Sequence, residues 1–465
     1  MSDDLQRQIE EYIDANWNQV VADIEALVSV ESVENLADAA EGAPFGPGPR
    51  EALDRALAIA RRMGLQAHDC EGYMGYADLP GASDTQIGII GHVDVVPAGP
   101  GWNFEPYGVT HRDGYLLGRG VMDDKGPLMA ALHAVKFWAD RGELLPYTLR
   151  VLFGANEETN MKDVPYYRAR HDDPAFLFTP DNKFPVGYGE SGICSGTLTS
   201  APVQDGDIIQ IEGGQAVNAV PGSAWAVVRA RSPLESREGI EIETCGEGAY
   251  RITATGVAAH ASLPHLGVNA IGILVNYLLE SHVGTPGERA FLELLKALHD
   301  NPDGSGLGVA CADEHFGPLT AVGGVIGLSD GRLTQSIDFR YPTTTTSAEI
   351  ERSVRERATD AGATFAMEHD KTPFLMDPES PAVRALLDAY NDATGENRGG
   401  VTSKGGTYAR AFTTGVSFGV EKPWEEDPAW VGGMHGPDEG VSEDLLKQAL
   451  AIYIRTIGNL MELDL

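Results

Sequence analysis

Residues 87–94 of the chain read IGIIGHVD, a short apolar run punctuated by glycine and followed by a histidine and an aspartate. Such a run predicts a buried β-strand with His92 and Asp94 at its end. Residues 148–153 (TLRVLF) and 175–179 (AFLFT) predict two more strands of this kind, and residues 127–141 between the first two show helical periodicity. Because strands that alternate with helices are typical of α/β domains, we expect a largely parallel sheet here.

The same pattern extends to both ends of the chain, whereas the middle differs. An amphipathic helix is predicted at the N-terminus, another over 50–63, and a last one after Ser442. The middle predicts strands within 207–231, 248–258 and 333–341, helices at 268–281 and 347–361, and a loop-rich stretch at 284–318 in which Phe291, Leu294, Leu295 and Leu298 nevertheless stand at helical spacing. We therefore predict an α/β domain formed by residues 1–187 and 378–465, with residues 188–377 inserted as an α+β lid domain.

The chain is strongly acidic, since 69 Asp and Glu residues stand against 34 Lys and Arg residues and give a formal net charge of −35 over 465 residues. Repulsion from phosphates argues against nucleic acid or an anionic membrane as partner. We interpret the charge as a solvated surface, with adaptation to high salt as the alternative. The mean hydropathy is −0.18, and no apolar run approaches the about 20 residues of a membrane helix. The acidic N-terminus has no apolar signal core, and the four cysteines are widely spaced. These features predict a cytoplasmic protein with reduced thiols.

Polar residues that can hold a metal follow each predicted strand. His92 and Asp94 end the first strand, Glu157 and Glu158 follow the second, and Asp181 follows the third. Two further clusters are GRGVMDDKG at 118–126 and MHGPDE at 434–439. Each has a plain structural alternative: a buried core histidine, an aspartate that caps a helix, or carboxylates that face solvent.

Together these clusters supply two histidines and at least three carboxylates but no cysteine. That combination suits zinc, with manganese or cobalt as alternatives. In a two-metal hydrolase, the two ions usually share one bridging carboxylate, and each ion has two further ligands. The sequence therefore predicts a dinuclear centre at the carboxyl edge of the sheet, where parallel α/β sheets bind their ligands.

Eight motifs, taken in order, resemble those of the dinuclear zinc aminoacylase, carboxypeptidase and dipeptidase family, and most of all its PepV-like bacterial dipeptidase branch. They are GHVDVVP (91–97), GRGVMDDKGP (118–127), ANEETN (155–160), TPDN (179–182), VAAHASLPHLGVNA (257–270), DFRYP (338–342), GGTYAR (405–410) and MHGPDE (434–439). The resemblance runs nearly end to end.

The resemblance implies a role for each site residue of the α/β domain. His92 and Asp181 would hold one metal, Glu158 and His435 the other, and Asp123 would bridge both. Asp123 is chosen over Asp124 because the bridging residue of the family lies two positions before a lysine, here Lys125. Asp94 would orient His92, and Glu157 would be the general base. The resemblance also implies a cis peptide bond between Asp123 and Asp124.

The resemblance also implies roles for residues that contact substrate. His260 of the lid would approach the scissile carbonyl, and Asn218 and Arg340 would contact the substrate, Arg340 as a bidentate donor to its C-terminal carboxylate. Gly406 and Thr407 fall in the substrate loop of the family. His265 stands five residues after His260, but the pattern favours His260.

The resulting prediction is a dinuclear zinc dipeptidase that hydrolyses small unblocked peptides through metal-activated water. The first alternative is an aminoacylase, or another amidohydrolase that acts on N-acyl or N-carbamoyl amino acids, since the same centre would serve. The second is a metal-binding module without activity, which the presence of Glu157 disfavours. No P-loop or paired aspartyl-protease motif is present. A monomer is expected, because the extra material at 284–330 could cover the surface through which lids of relatives pair.

Overall fold

The computed structural model describes residues 3–203 and 205–465, which form two compact units. The discontinuous unit comprises residues 3–189, Leu375–Val401 and Thr407–Leu465. The inserted unit comprises Glu190–Phe374 and Thr402–Gly406.

Helices and strands are numbered in chain order. The helices are α1 (Asp3–Val28), α2 (Pro47–Arg62), α3 (Lys125–Arg141), α4 (Asp163–Arg168), α5 (Ala270–Glu280), α6 (Pro286–His299), α7 (Ser347–Asp360), α8 (Pro381–Thr394) and α9 (Glu443–Leu460). The strands of the first half are β1 (Gln66–Cys70), β2 (Met74–Leu79), β3 (Ser83–His92), β4 (Thr110–Arg112), β5 (Tyr115–Leu117), β6 (Tyr147–Gly154), β7 (Phe176–Thr179), β8 (Gly187–Glu190), β9 (Gly192–Thr199), β10 (Ile208–Gly213), β11 (Ala219–Val220) and β12 (Ser223–Arg229). Those of the second half are β13 (Ile240–Gly246), β14 (Ala249–Thr255), β15 (Ala259–His260), β16 (Ala312–Asp313), β17 (Gly317–Pro318), β18 (Thr320–Ser329), β19 (Arg332–Tyr341), β20 (Thr364–Lys371), β21 (Phe374–Leu375), β22 (Val401–Ser403), β23 (Gly415–Ser417) and β24 (Gly440–Ser442).

The main sheet of the discontinuous unit runs in the order β1-β2-β6-β3-β7-β23-β8. Its centre, β6-β3-β7-β23, is parallel, whereas β1, β2 and β8 join antiparallel at the edges. The predicted fold class, α/β with a largely parallel sheet, is thereby confirmed. Strand β3 is apolar on both faces because both are covered: Ile87 and Ile89 belong to the core that contains α1, α2, α3 and α9, and Ile90 to a smaller core with α4.

The parallel register places the three predicted ligand-bearing strand ends side by side. His92 lies opposite Gly154 in the β3–β6 pair, and Ile89 lies opposite Phe178 in the β3–β7 pair. The residues that follow β6 and β7 therefore emerge next to His92, at one edge of the sheet. This is the carboxyl edge, where open α/β sheets bind ligands.

The inserted unit is built on an eight-stranded antiparallel sheet in the order β13-β14-β12-β10-β18-β19-β9-β20. Helices α5, α6 and α7 supply apolar residues to its core. The stretch 284–318, expected to be loop-rich, contains the 14-residue helix α6. Thr285 and Glu288 form a complete capping box at its start, and Phe291, Leu294, Leu295 and Leu298 are buried, so the helical spacing outweighed the glycines and prolines around it.

Within residues 3–203 and 205–465, the helices offer no segment long and apolar enough to cross a membrane. The four cysteines, all of which are described, are free thiols.

Candidate metal centre

The first ligand group forms where β3 and β7 end. The Nε2 atom of His92 lies 3.0 Å from Oδ1 of Asp123 and 3.7 Å from Oδ2 of Asp181. His92 is fully buried, and the Asp181 side chain is only 12% exposed. The ligand atoms of these three residues all lie within 4.8 Å of one another, close enough to hold one metal ion.

The second ligand group shares Asp123 with the first. The Nε2 atom of His435 lies 3.0 Å from Oδ2 of Asp123 and 3.0 Å from Oε2 of Glu158. The two oxygens of the Asp123 carboxylate thus face two different histidines. This is the arrangement that a carboxylate bridging two metals requires.

The tautomer of His92 is set by a backbone carbonyl. Its Nδ1 atom lies 3.0 Å from the carbonyl oxygen of Asp94, which can only accept a hydrogen bond, so Nδ1 carries the proton and Nε2 is left to bind metal. The sequence led us to expect the Asp94 carboxylate in this role, but its Oδ1 lies 3.6 Å away. The carboxylate instead accepts the backbone N–H groups of Glu157 at 3.2 Å and Glu158 at 3.1 Å, and so holds the next ligand loop.

The turn that carries Asp123 is anchored through its neighbours. The Asp123–Asp124 peptide bond is cis, as the resemblance implied. Asp124 stands at the N-cap position of α3, but its side chain does not cap that helix. Its Oδ2 accepts the backbone N–H of His92 at 3.1 Å, which links the turn to the end of β3. The Nζ of Lys125 is buried and donates to the carbonyls of Leu27 and Val30, both at 3.0 Å.

Glu157 stands beside the ligands without belonging to either group. Among the described residues, its Oε1 is buried and has no hydrogen-bond partner. Burial, together with the charge of Asp181, raises the pKa of the Glu157 carboxyl well above its ordinary value. A carboxyl of raised pKa that has one buried oxygen without a partner among the described residues, and that lies beside two ligand groups, is suited to exchange a proton.

The centre gathers more negative charge than its histidines can balance. Burial and the charge of Asp123 raise the pKa of Asp181 to about 8, and burial raises that of Asp94 to about 7. Burial also acts on Asp123, but hydrogen bonds with His435 and His92 hold the pKa of its carboxyl well below the ordinary value. The hydrogen bonds with Asp123 and Glu158 raise the pKa of His435 to about 11. Crowded carboxylates and imidazoles without sulfur are the donor set that zinc and manganese accept, so these residues fit a divalent metal.

Two buried supports of the ligand loops were not predicted from the sequence. Glu439 accepts hydrogen bonds from Arg119 and from three backbone N–H groups of the Asp123 turn. Asp163 accepts the N–H groups of Ala155 and Asn156, and also the hydroxyl of Tyr408. Glu439 lies within the quoted MHGPDE motif, but no sequence pattern shows which carboxylate turns inward.

Among the predicted substrate residues of the inserted unit, Asn218 and His260 lie at the β11–β15 pair. His260, in β15, pairs with Ala219, is exposed, and has its Nδ1 2.7 Å from the hydroxyl of Ser262. Exposed Asn218 precedes β11, and its carbonyl accepts the N–H of Ala261 at 2.9 Å. The structure therefore brings Asn218 and His260 together, whereas His265 lies in the short turn Pro264–Leu266.

Arg340 lies on β19 and is almost fully buried. Its Nε and Nη2 are bound by both carboxylate oxygens of Asp338, at 2.7 and 3.0 Å, and its Nη1 donates to the carbonyl of Lys404 at 3.0 Å. Gly406 belongs to the short Thr402–Gly406 segment of the same unit. Thr407 begins the next segment of the discontinuous unit, where its hydroxyl accepts the N–H of Ala409 at 3.1 Å.

Comparison with known proteins identifies the family. Residues 88–459 match peptidase family M20/M25/M40. A provisionally assigned dipeptidase of Staphylococcus haemolyticus is 31% identical over 468 residues, which cover 95% of this chain and 97% of that protein.

Solved structures share the fold. Human carnosine dipeptidase 1 covers 99% of both chains with a TM-score of 0.61 at 15% identity. The di-peptidase Dug1p of Saccharomyces cerevisiae covers 99% of both chains with a TM-score of 0.60 at 13% identity. The chain belongs to peptidase family M20/M25/M40 and is a peptidase.

Proposed function

From membership of this peptidase family, we propose that the chain is a dinuclear metal-dependent dipeptidase that acts on unblocked dipeptides. The observation that carries the proposal is the Asp123 carboxylate, with one oxygen 3.0 Å from His92 and the other 3.0 Å from His435. The names of the relatives support a peptide substrate.

The proposed metals are two zinc ions, with manganese or cobalt as alternatives. His92, Asp123 and Asp181 would hold one, and Asp123, Glu158 and His435 the other. When bound, the pair would supply Lewis acidity that lowers the pKa of a water molecule and polarises the scissile carbonyl.

The residues of the chain would carry the proton and the substrate. Glu157 would take the proton of the attacking water and deliver it to the leaving amine, because it stands outside both ligand groups and its Oε1 is buried without a partner among the described residues. His260 would donate to the developing oxyanion. Arg340 would bind the C-terminal carboxylate through its remaining N–H groups, since Asp338 occupies its Nε side. Asn218, Gly406 and Thr407 would complete the substrate contacts.

The same proposal includes the organisation of the chain. Residues 1–187 with 378–465 would act as the catalytic domain, residues 188–377 as its lid, and the enzyme would work as a monomer. Light scattering at micromolar concentration tests the last point: a mass near 50 kDa is expected from the 49.7 kDa chain, and about twice that mass would contradict it.

A substrate panel tests the activity. Unblocked dipeptides, tripeptides, N-acetylated dipeptides and N-carbamoyl amino acids should be assayed with added zinc, manganese or cobalt. Turnover confined to unblocked dipeptides is expected. Preference for the acylated or carbamoylated compounds would favour the aminoacylase or amidohydrolase alternative, and absence of turnover with every metal would favour a binding module.

A further inference from the structure

A buried ion pair joins the two loops that carry the shared ligand and the second histidine. The side chains of Arg119 and Glu439 are 1% and 0% exposed, and Nη1 of Arg119 donates to Oε2 of Glu439. Glu439 stands four residues after His435, and Arg119 stands four residues before Asp123. Neither side chain belongs to a ligand group.

The Glu439 end of the pair holds the backbone of the Asp123 turn. Its Oε1 accepts the N–H groups of Gly120 at 3.0 Å, Met122 at 3.0 Å and Asp123 itself at 3.2 Å. Three donors that converge on one oxygen fix the path of the chain directly before the shared carboxylate.

The Arg119 end of the pair holds the His435 loop. Its Nη2 lies 3.2 Å from the carbonyl oxygen of His435, 3.1 Å from that of Gly436 and 3.3 Å from that of Ala98. His435 needs such support, because its backbone has a left-handed φ of +62° and its side chain is 57% exposed. A guanidinium presents several donors in a fixed planar fork, so it can bind these carbonyls and Glu439 together.

We infer that Arg119 and Glu439 are positioning residues that set the separation between Asp123 and His435. They would thereby control how tightly the second ligand group, formed by Asp123, Glu158 and His435, binds its metal ion. The inference rests on the metal centre proposed above. Groups that orient metal ligands typically contribute about 10- to 100-fold to metal affinity. In the first ligand group, His92 and Asp181 lie at strand ends that Arg119 and Glu439 do not contact. The metal affinity of the first group should therefore change less than that of the second.

Titration of the metal-free protein with Co²⁺, followed by calorimetry and by visible absorption, tests the inference. Wild type should bind two equivalents. In Glu439→Gln, the amide nitrogen would face the Arg119 donors or the backbone N–H groups, and two donors cannot form a hydrogen bond with each other. The Co²⁺ ion of the second ligand group should therefore bind about 10- to 100-fold more weakly, and its absorption spectrum should change. In Arg119→Lys the charge remains but the fork is lost, and a smaller weakening of the same equivalent is expected.

Asp78→Asn is the matched control. Asp78 forms a partly buried bidentate pair with Arg150, at 2.8 and 2.7 Å, between β2 and β6. Loss of this ion pair should lower the thermal stability of the protein without changing the dissociation constant of either Co²⁺ ion. If Glu439→Gln does not fold, the Co²⁺ titration of Arg119→Lys tests the inference by itself.

Two outcomes separate the inference from the proposed function. Wild-type constants and spectra for both equivalents in both variants would overturn the inference. A wild type that binds a single equivalent would contradict the dinuclear proposal, and an unchanged constant for that equivalent in the variants would overturn the inference as well.

Discussion

The adjacent carboxylates Glu157 and Glu158 allow the proposed base to be separated from a proposed ligand. Glu158 contributes Oε2 to the second ligand group, 3.0 Å from His435, whereas Glu157 belongs to neither group and its Oε1 has no partner in the described part of the chain. Glu157→Gln should therefore abolish turnover and leave both metals bound, whereas Glu158→Gln should lose metal as well as activity.

The magnitude follows from the role. General-base catalysis contributes about 10²- to 10⁴-fold, so Glu157→Gln should lower kcat by that factor, or about 3 to 5 kcal/mol of transition-state stabilisation. Because neither substrate contact nor ligand is removed, KM should change little. The amide nearly preserves the shape of the side chain and cannot carry a buried charge, so stability should not fall.

Steady-state hydrolysis of an unblocked dipeptide, with metal content measured on the same samples, provides the assay. If Glu157→Gln kept more than about a tenth of the wild-type kcat, the role of Glu157 as general base would be refuted. The assignment would also fail if that variant lost a metal as Glu158→Gln does.

Three further expectations follow. Asp338→Asn should raise KM for an unblocked dipeptide by about tenfold with little change in kcat, because Asp338 holds the Arg340 guanidinium; an equal rise for a C-terminally amidated dipeptide would argue against carboxylate recognition. Burial lowers the pKa of His299 from 6.5 to about 4, so between these pH values the unfolded chain binds a proton that the folded chain does not. Up to about 3 kcal/mol of the free energy of unfolding should therefore be lost as pH falls from 6.5 to 4. Chemical unfolding should show a smaller loss in His299→Gln, and an equal loss would contradict the attribution of this pH dependence to His299. The net charge of −35 opposes compactness, so the Tm should rise between 0.1 and 1 M KCl as the screening length shrinks from about 10 to about 3 Å; a falling Tm would show that repulsion is not the governing effect.

The strand ends could be predicted because two signals coincide there. Apolar runs such as 87–90 demand burial, and the metal-competent residues that follow them can be read directly from the chain. Since neighbouring parallel strands end at the same edge, His92, Glu158 and Asp181 had to converge. Helix α6 shows the limit of this reasoning, because Gly284, Pro286 and Gly287 suggested a loop although they surround a helix start.

The supports of the centre could not be predicted in the same way. Asp94 has both a carboxylate and a carbonyl near His92, and only the folded backbone decides that the carbonyl lies 3.0 Å from Nδ1. Likewise, Asp438 and Glu439 are adjacent acids, yet Asp438 accepts the N–H of Asn103 whereas Glu439 turns toward Arg119. The choice between Asp438 and Glu439 depends on tertiary contacts between residues more than 300 positions apart, which local pattern does not encode.

The wide separation of the ligands along the chain has a consequence for synthesis. His92, Asp123, Glu158 and Asp181 precede the inserted unit in the chain, whereas His435 follows it. At about 5–20 residues per second, a growing chain spends at least about ten seconds between Asp181 and His435 with an incomplete second ligand group. A nascent chain that has not yet reached His435 would therefore lack the second ligand group, and the proposed dinuclear centre could form only after the inserted unit has been made.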